Sequence, residues 1–165
     1  MNKKFDYILL LGPIYHTLDE IERINIIQQC IDLLNDKGII FISFISSYSR
    51  IMYSIREKPE DIISCKLLNQ DILKSLNSQN SFRKNPDKFL IEPDKIEPFM
   101  NQFKNIKKLN IVGCESILGP FLNIISEFSK EIKNKWLEYA FNISYKKIGI
   151  YNSEHIMYIG EKNEI

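Results

Sequence analysis

Hydrophobic positions along the chain change their spacing several times, and each change marks the edge of an element. Residues 5–11 contain an unbroken apolar run, Ile8-Leu9-Leu10-Leu11, which predicts a parallel-sheet strand covered on both faces. Gly12-Pro13 ends it, because Gly allows an unusual backbone angle and Pro cannot donate to a strand ladder. Thr17-Leu18-Asp19-Glu20 has the form of a capping box. It predicts a helix to about Asn35, with Leu18, Ile21, Ile24, Ile27, Ile31 and Leu34 on one face. Gly38 suits the left-handed residue that follows a helix end. Residues 39–45 are again almost continuously apolar, interrupted by Ser43, and complete a βαβ unit with a right-handed crossover.

Beyond that strand the pattern turns polar and aromatic: Ser46, Ser47, Tyr48, Ser49, Arg50, Tyr53 and Arg56 follow its carboxyl end. Pro59-Glu60-Asp61 predicts a helix start, with Pro in the first turn and acids beside the positive end of the dipole, running to about Leu76. Residues 77–85 read as a polar loop, and Pro93-Asp94 opens a short helix to about Phe103. Residues 106–112 alternate as a strand, Ile106, Leu109 and Ile111 set against Lys107, Lys108 and Asn110. A long helix is predicted from about Pro120 to Tyr145. Its stripe of Phe121, Ile125, Phe128, Ile132, Trp136, Tyr139 and Ile143 reads as a packed face rather than a cofactor box. Residues 154–161 form a last strand, so the pattern is an α/β chain of about four strands.

With 165 residues, 44% of them apolar and 26% charged, the chain has the size and composition of one globular domain. A formal charge of +1 gives no electrostatic reason to favour nucleic acid. Cys30, Cys65 and Cys114 lack metal-type spacing and read as reduced thiols. No signal peptide and no membrane-spanning run of about 20 apolar residues is visible, so the expected location is cytoplasmic. There is no G-x-S-x-G elbow and no phosphate-binding loop, which argues against hydrolase and nucleoside-triphosphatase readings. The two histidines lack ligand-spaced Cys or carboxylate neighbours, so no metal site is expected.

Asp6 at a strand start, then Leu9-Leu10-Leu11-Gly12-Pro13-Ile14-Tyr15-His16, an acidic amphipathic helix and a second strand resemble the middle of a class I S-adenosylmethionine-dependent methyltransferase. The resemblance implies a partial Rossmann-like methyltransferase sheet. Residues 5–11, 39–45, 106–112 and 154–161 would stand for the family's fourth to seventh strands, the last pair antiparallel. It implies one methyltransferase-like domain, incomplete over residues 1–165, with substrate-covering helical inserts at 47–80 and 117–147. The family's Gly-rich cofactor turn and ribose-binding acid have no counterpart here, since no two of Gly12, Gly38, Gly113, Gly119, Gly149 and Gly160 lie at G-x-G spacing. Methyl transfer from S-adenosylmethionine to a small molecule is therefore expected of a truncated or split enzyme. The expected partners are a chain supplying the N-terminal half, or a second copy paired through an exposed first strand. A non-catalytic α/β interaction module derived from a methyltransferase is the alternative.

The same resemblance implies that Leu11, Gly12 and Pro13 offer backbone groups to the methionine part of the cofactor. Tyr15 and His16 would line the substrate side, His16 as a base near neutral pH; packing under the following helix is the competing account. Tyr48, Arg50 and Tyr53 would orient a substrate, Arg50 through its planar donors if the substrate is anionic. His155, opening the last strand, completes the set of substrate-side candidates.

Overall fold

Strand β1 (Phe5–Leu10) lies parallel to β2 (Leu34–Ser46), and α1 (Pro13–His16) and α2 (Glu20–Asp32) connect them. Next come α3 (Ser49–Glu57), α4 (Asp61–Ser64), the short strands β3 (Lys84–Asn85) and β4 (Lys88–Ile91), α5 (Pro93–Met100) and β5 (Ile106–Gly113). A 3-10 segment (Ser116–Phe121), α6 (Leu122–Ser126), α7 (Lys130–Ile143) and α8 (Lys147–Tyr151) lead to β6 (His155–Lys162). The computed structural model describes residues 3–64, 84–85 and 88–164.

The result is an α/β fold on a mixed sheet. Strand β2 pairs with β1 on one edge and antiparallel with β6 on the other, and β6 pairs antiparallel with β5. The four long strands and the antiparallel last pair follow the sequence expectation. Strands β3 and β4 do not: their pattern is too short to read. Strand β1 leaves β2 opposite Ile42, and β4 joins the same edge opposite Ile45 and Ser46. The intervening notch is where α1 packs, its Ile14 fully buried.

One face of the sheet holds the core. Ile8 and Leu10 of β1 stand in register with Ile40 and Ile42, and these with Phe44, Ile156 and Tyr158 meet Ile27 and Ile31 of α2 and Ile96, Phe99 and Met100 of α5. Burial of each such side chain contributes about 1.5–3 kcal/mol. The opposite face is less covered. Tyr7 and Leu9 are 66% and 65% exposed, so the apolar run of β1 is covered on one face rather than both.

Helix α2 starts later than the capping-box reading places it. Thr17 serves as the C-cap of α1 instead, its N–H and hydroxyl both donating to Pro13 O. Asp19 is the N-cap and accepts from Glu22 N–H at 2.8 Å. The buried stripe also shifts to Arg23, Ile27 and Ile31, leaving Ile21 exposed. Buried Arg23 explains the shift. Its guanidinium donates to Thr17 O and Leu18 O at 2.7 and 2.8 Å and lies 3.7 Å from the Phe89 ring centroid, joining the α1–α2 turn to β4.

The turn into β2 departs from expectation in a similar way. Lys37, not Gly38, takes the left-handed conformation (φ 61°), and no glycine has a positive φ. Gly38 is required by close approach, because a Cβ there would sit 2.8 Å from Asn35 O. Strand β5 carries an irregularity between Lys108 and Asn110. Ile106 and Ile111 are an odd number of residues apart, so one extra residue is needed to bring both to the same face.

One helical reading is corrected: the predicted 120–145 helix is broken into the 3-10 segment, α6 and α7. Residues 49–57, the polar and aromatic stretch after β2, form α3. Ser129 caps α7 by accepting from Ile132 N–H, which fixes the break. Its apolar stripe is not a packed face: Phe121, Ile132, Trp136 and Tyr139 are exposed, and Ala140 is the buried residue of α7. Beyond Ser64, the helix predicted to Leu76 lies outside the described residues, as do residues 77–83 of the polar loop.

Gly113 ends β5 against α8, where a Cβ would sit 2.3 Å from Ser153 Oγ and 2.4 Å from Gly149 O. Gly113→Ala is expected to lower stability by about 1–3 kcal/mol in chemical denaturation. Gly12→Ala, whose Cβ would meet only the Tyr15 hydroxyl at 3.9 Å, is expected to cost less than about 1 kcal/mol.

Candidate functional site

The carboxyl ends of β1 and β2 and the amino end of antiparallel β6 lie at one edge of the sheet, the edge where open α/β sheets bind ligands. Here the chain places a cavity of about 480 Å³ lined by Ile45, Ser49, Arg50, Tyr53, Ser54, Lys58, Lys88, Leu90, Glu154 and His155. Helix α3 supplies its long wall, because positions three and four apart on a helix share a face: Ser49 with Tyr53, Arg50 with Tyr53 and Ser54. Strand β4 brings Lys88 and Leu90, and β6 brings His155.

Of the four residues expected from sequence to bind substrate (Tyr48, Arg50, Tyr53 and His155), Arg50, Tyr53 and His155 thus meet at one cavity. Tyr48 turns away. It precedes the first helical residue of α3, and its ring stacks on Tyr151 at 5.9 Å between centroids. Tyr151 in turn donates its hydroxyl to Asp94. Burial, with Glu92 and Asp94 nearby, raises the Tyr48 phenol.

Leu11, Gly12 and Pro13 form the crest of the loop between β1 and α1. Leu11 is exposed, its carbonyl accepts from the Tyr15 hydroxyl at 3.0 Å, and Pro13 opens α1. Gly12 has φ −147°, so no left-handed angle is needed there; a Cβ there would be in ordinary van der Waals contact with the Tyr15 hydroxyl at 3.9 Å. The Tyr15 ring lies 4.9 Å from that of His16 and 6.3 Å from that of His155. His16 is exposed at the end of α1 and is not part of the cavity lining.

Sequence reasoning missed the partner of His155. Glu115 Oε2 accepts from the His155 backbone N–H at 3.0 Å, and its Oε1 lies 2.7 Å from His155 Nδ1. Several restraints hold Glu115 there. Cys114 N–H donates to His155 O, and Ser116 N–H donates to Ser153 Oγ, which donates to Gly149 O at 2.9 Å. Ser116 takes a left-handed backbone (φ 51°), which costs a non-glycine residue about 1–2 kcal/mol. A signal was present in the sequence: the end of β5 and the start of β6 must adjoin in an antiparallel pair, so a carboxylate after Gly113 falls beside His155.

The pairing perturbs both groups. The hydrogen bond to Glu115 raises His155, against partial burial and against Lys88, and Glu115 and Glu154 add to the rise. Burial works against ionised Glu115, but its bonds to the His155 ring and backbone outweigh that and leave it below its usual value. Glu154 is bound 2.5 Å from Arg56 Nη1. With Nδ1 on Glu115, His155 keeps Nε2 free of hydrogen-bond partners among the described residues, in position to take a proton. Among the described residues no cluster of three His, Cys, Asp or Glu is placed to hold a metal ion, and no helix is long and apolar enough to cross a membrane.

The pair's stabilisation needs protonated His155 and ionised Glu115. A raised His pKa contributes fully below the unfolded value of 6.5 and is lost as pH rises through the folded value. A lowered Glu pKa contributes above 4.5 and is lost as pH falls through the folded value. Glu115→Gln is therefore expected to lower the melting temperature most between these two values and less on either side. Partial exposure limits the maximum to about 0.5–1 kcal/mol.

No protein-family model matches the sequence, and no curated protein matches it. Similar solved structures include PKMT2 from Rickettsia typhi, with a TM-score of 0.46 and 18% identity over 99% of this chain and 36% of that one. The same protein in complex with AdoHcy gives a TM-score of 0.48 and 16% identity at the same coverage. Mycolic acid cyclopropane synthase CmaA1 complexed with SAH and CTAB gives 0.44 and 11%, over 98% of this chain and 57% of that one. The chain thus spans between about a third and three-fifths of the length of these proteins, and the likeness is a distant one.

Proposed function

We propose that the chain takes part in S-adenosylmethionine-dependent methyl transfer to a small molecule. The observation that carries the reading is the meeting, at the carboxyl edge of a β1-β2-β6-β5 sheet, of the open Gly12 crest with a cavity bordered by a histidine–carboxylate pair. The crest fits the methionine end of the cofactor, since a ligand can approach the Leu11–Pro13 backbone where a Cβ would meet nothing closer than 3.9 Å. When bound, S-adenosylmethionine supplies a methyl group on a positively charged sulfur, open to in-line displacement by an acceptor atom.

In this reading His155 Nε2 takes the proton from the acceptor, and Glu115 holds the ring orientation and stabilises the imidazolium that forms. Tyr15, between the loop and His155, separates the cofactor side from the acceptor side. The helical segments within 47–80 and 117–147 would shield the acceptor from water.

S-adenosylhomocysteine titrated calorimetrically into the full chain is expected to bind weakly, because the Gly-rich cofactor turn has no counterpart in residues 1–165. Gly12→Leu is expected to weaken it at least about tenfold, a loss of about 1.4 kcal/mol, with the melting temperature little changed. Absence of heat with both S-adenosylmethionine and S-adenosylhomocysteine rejects the reading.

A second reading, a non-catalytic interaction module, is favoured by β1. Among the described residues its outer edge is unpaired, and Phe5, Tyr7, Leu9 and Leu11 present an exposed apolar row. It predicts self-association through β1 at micromolar concentration, lost in Tyr7→Lys/Leu9→Lys, by sedimentation velocity. A monomer at all concentrations removes support for it.

A further inference from the structure

Among the described residues, the cavity lining carries more cations than acids. Arg50, Lys58 and Lys88 line it, and none of the three has an ion-pair partner among the described residues. The one acid in the lining among the described residues, Glu154, is held by Arg56, which is not itself part of the lining. Glu115, the other nearby acid, is engaged by the ring and backbone of His155. Three cations with no ion-pair partner among the described residues thus face about 480 Å³ of space. The cations come from separate elements, Arg50 and Lys58 from α3 and its C-cap, Lys88 from β4. Their convergence is therefore a property of the tertiary fold, not of one charged helix face.

The remaining lining is of a different kind. Ile45, Leu90 and the ring of Tyr53 give an apolar wall, and the Ser49 and Ser54 side chains add hydroxyls. An apolar wall facing a cationic one suits a molecule with a hydrocarbon or aromatic body and an anionic end. Arg50 contributes planar, paired donors that match a carboxylate or phosphate, and lysines add point charges.

We infer that the cavity binds a small organic anion, a carboxylate or phosphate monoester on an apolar body, held by Arg50, Lys58 and Lys88 beside His155. In identifying this anion as the methyl acceptor, the inference rests on the methyl-transfer reading. Anion binding itself does not. As acceptor, the anion's second functional group, a hydroxyl, loses its proton to His155 Nε2. The oxygen lone pair forms the new O–CH₃ bond while the S–CH₃ bond breaks and its electrons return to sulfur, leaving a neutral thioether. The charges bearing on His155 are Glu115 from the β5 end, Glu154 just before its strand, Lys88 from β4, and Arg50 and Lys58 across the cavity; an added anion raises its pKa further.

The test is calorimetric titration of the full chain with benzoate and with phenyl phosphate, with benzamide as the neutral control, and NMR titration of His155. Expected are binding of an anion but not benzamide, binding that weakens as salt is added, and a His155 titration displaced upward in the complex. Arg50→Gln and Lys88→Gln should each weaken binding about tenfold, and Arg50→Lys much less. Both positions line the open cavity, so folding is preserved and is checked by melting temperature. Tighter binding of benzoate assigns a carboxylate, and tighter binding of phenyl phosphate a phosphate. Failure of both anions to bind, equal binding of benzamide, or anion binding unchanged in the Arg50→Gln/Lys88→Gln double variant overturns the inference. Anion binding without S-adenosylhomocysteine binding keeps the anion site and rejects methyl transfer. Cofactor binding without anion binding does the reverse.

Discussion

Strand β2 is the member on which every other part of the sheet depends. It bonds to β1 and β4 along one edge and to β6 along the other, and both faces of its second half are buried. Because β1 and β4 share one edge of it, that edge has a notch, and a short helix with a single buried isoleucine, Ile14, is what the notch accommodates. The loop that precedes this helix is thereby carried to the sheet's carboxyl end. The same strand brings Ile45 opposite His155, so the register of one ladder sets the cavity and the dyad together. At the other end of β2 the buried amine of Lys162 donates to Leu34 O, which anchors the turn around Gly38.

Elements with strong local patterns were legible in the sequence. Strands β1, β2, β5 and β6 and helices α2 and α5 all appear near their expected places, since apolar runs and helical spacing report burial directly. Readings failed where a residue has more than one use available. Thr17 ends α1 instead of starting α2, and Lys37 takes the left-handed angle while Gly38 answers a steric demand that local sequence does not reveal. The aromatic stripe of α7 has helical spacing, but spacing reports an amphipathic face and not what covers it.

The candidate site was legible in part for the same reason. Arg50 and Tyr53 were visible because polar and aromatic residues after a strand end are unusual, and His155 because histidines are scarce here. Glu115, Lys58 and Lys88 were not, since each reaches the cavity from an element whose position depends on the tertiary fold. Tyr48 looked equivalent to Arg50 in sequence, yet two residues of helical phase send it to Tyr151 instead.

The ring of Tyr15 has a consequence of its own. It is tied to the Leu11 carbonyl at 3.0 Å on one side and lies against His155 on the other, so the crest of the loop and the imidazole share a single rigid spacer. On the methyl-transfer reading, a cofactor that displaces the loop also displaces that spacer. Its binding and that of an anion in the cavity would then be thermodynamically coupled, and the coupling reciprocal: each would alter the other's affinity by the same factor.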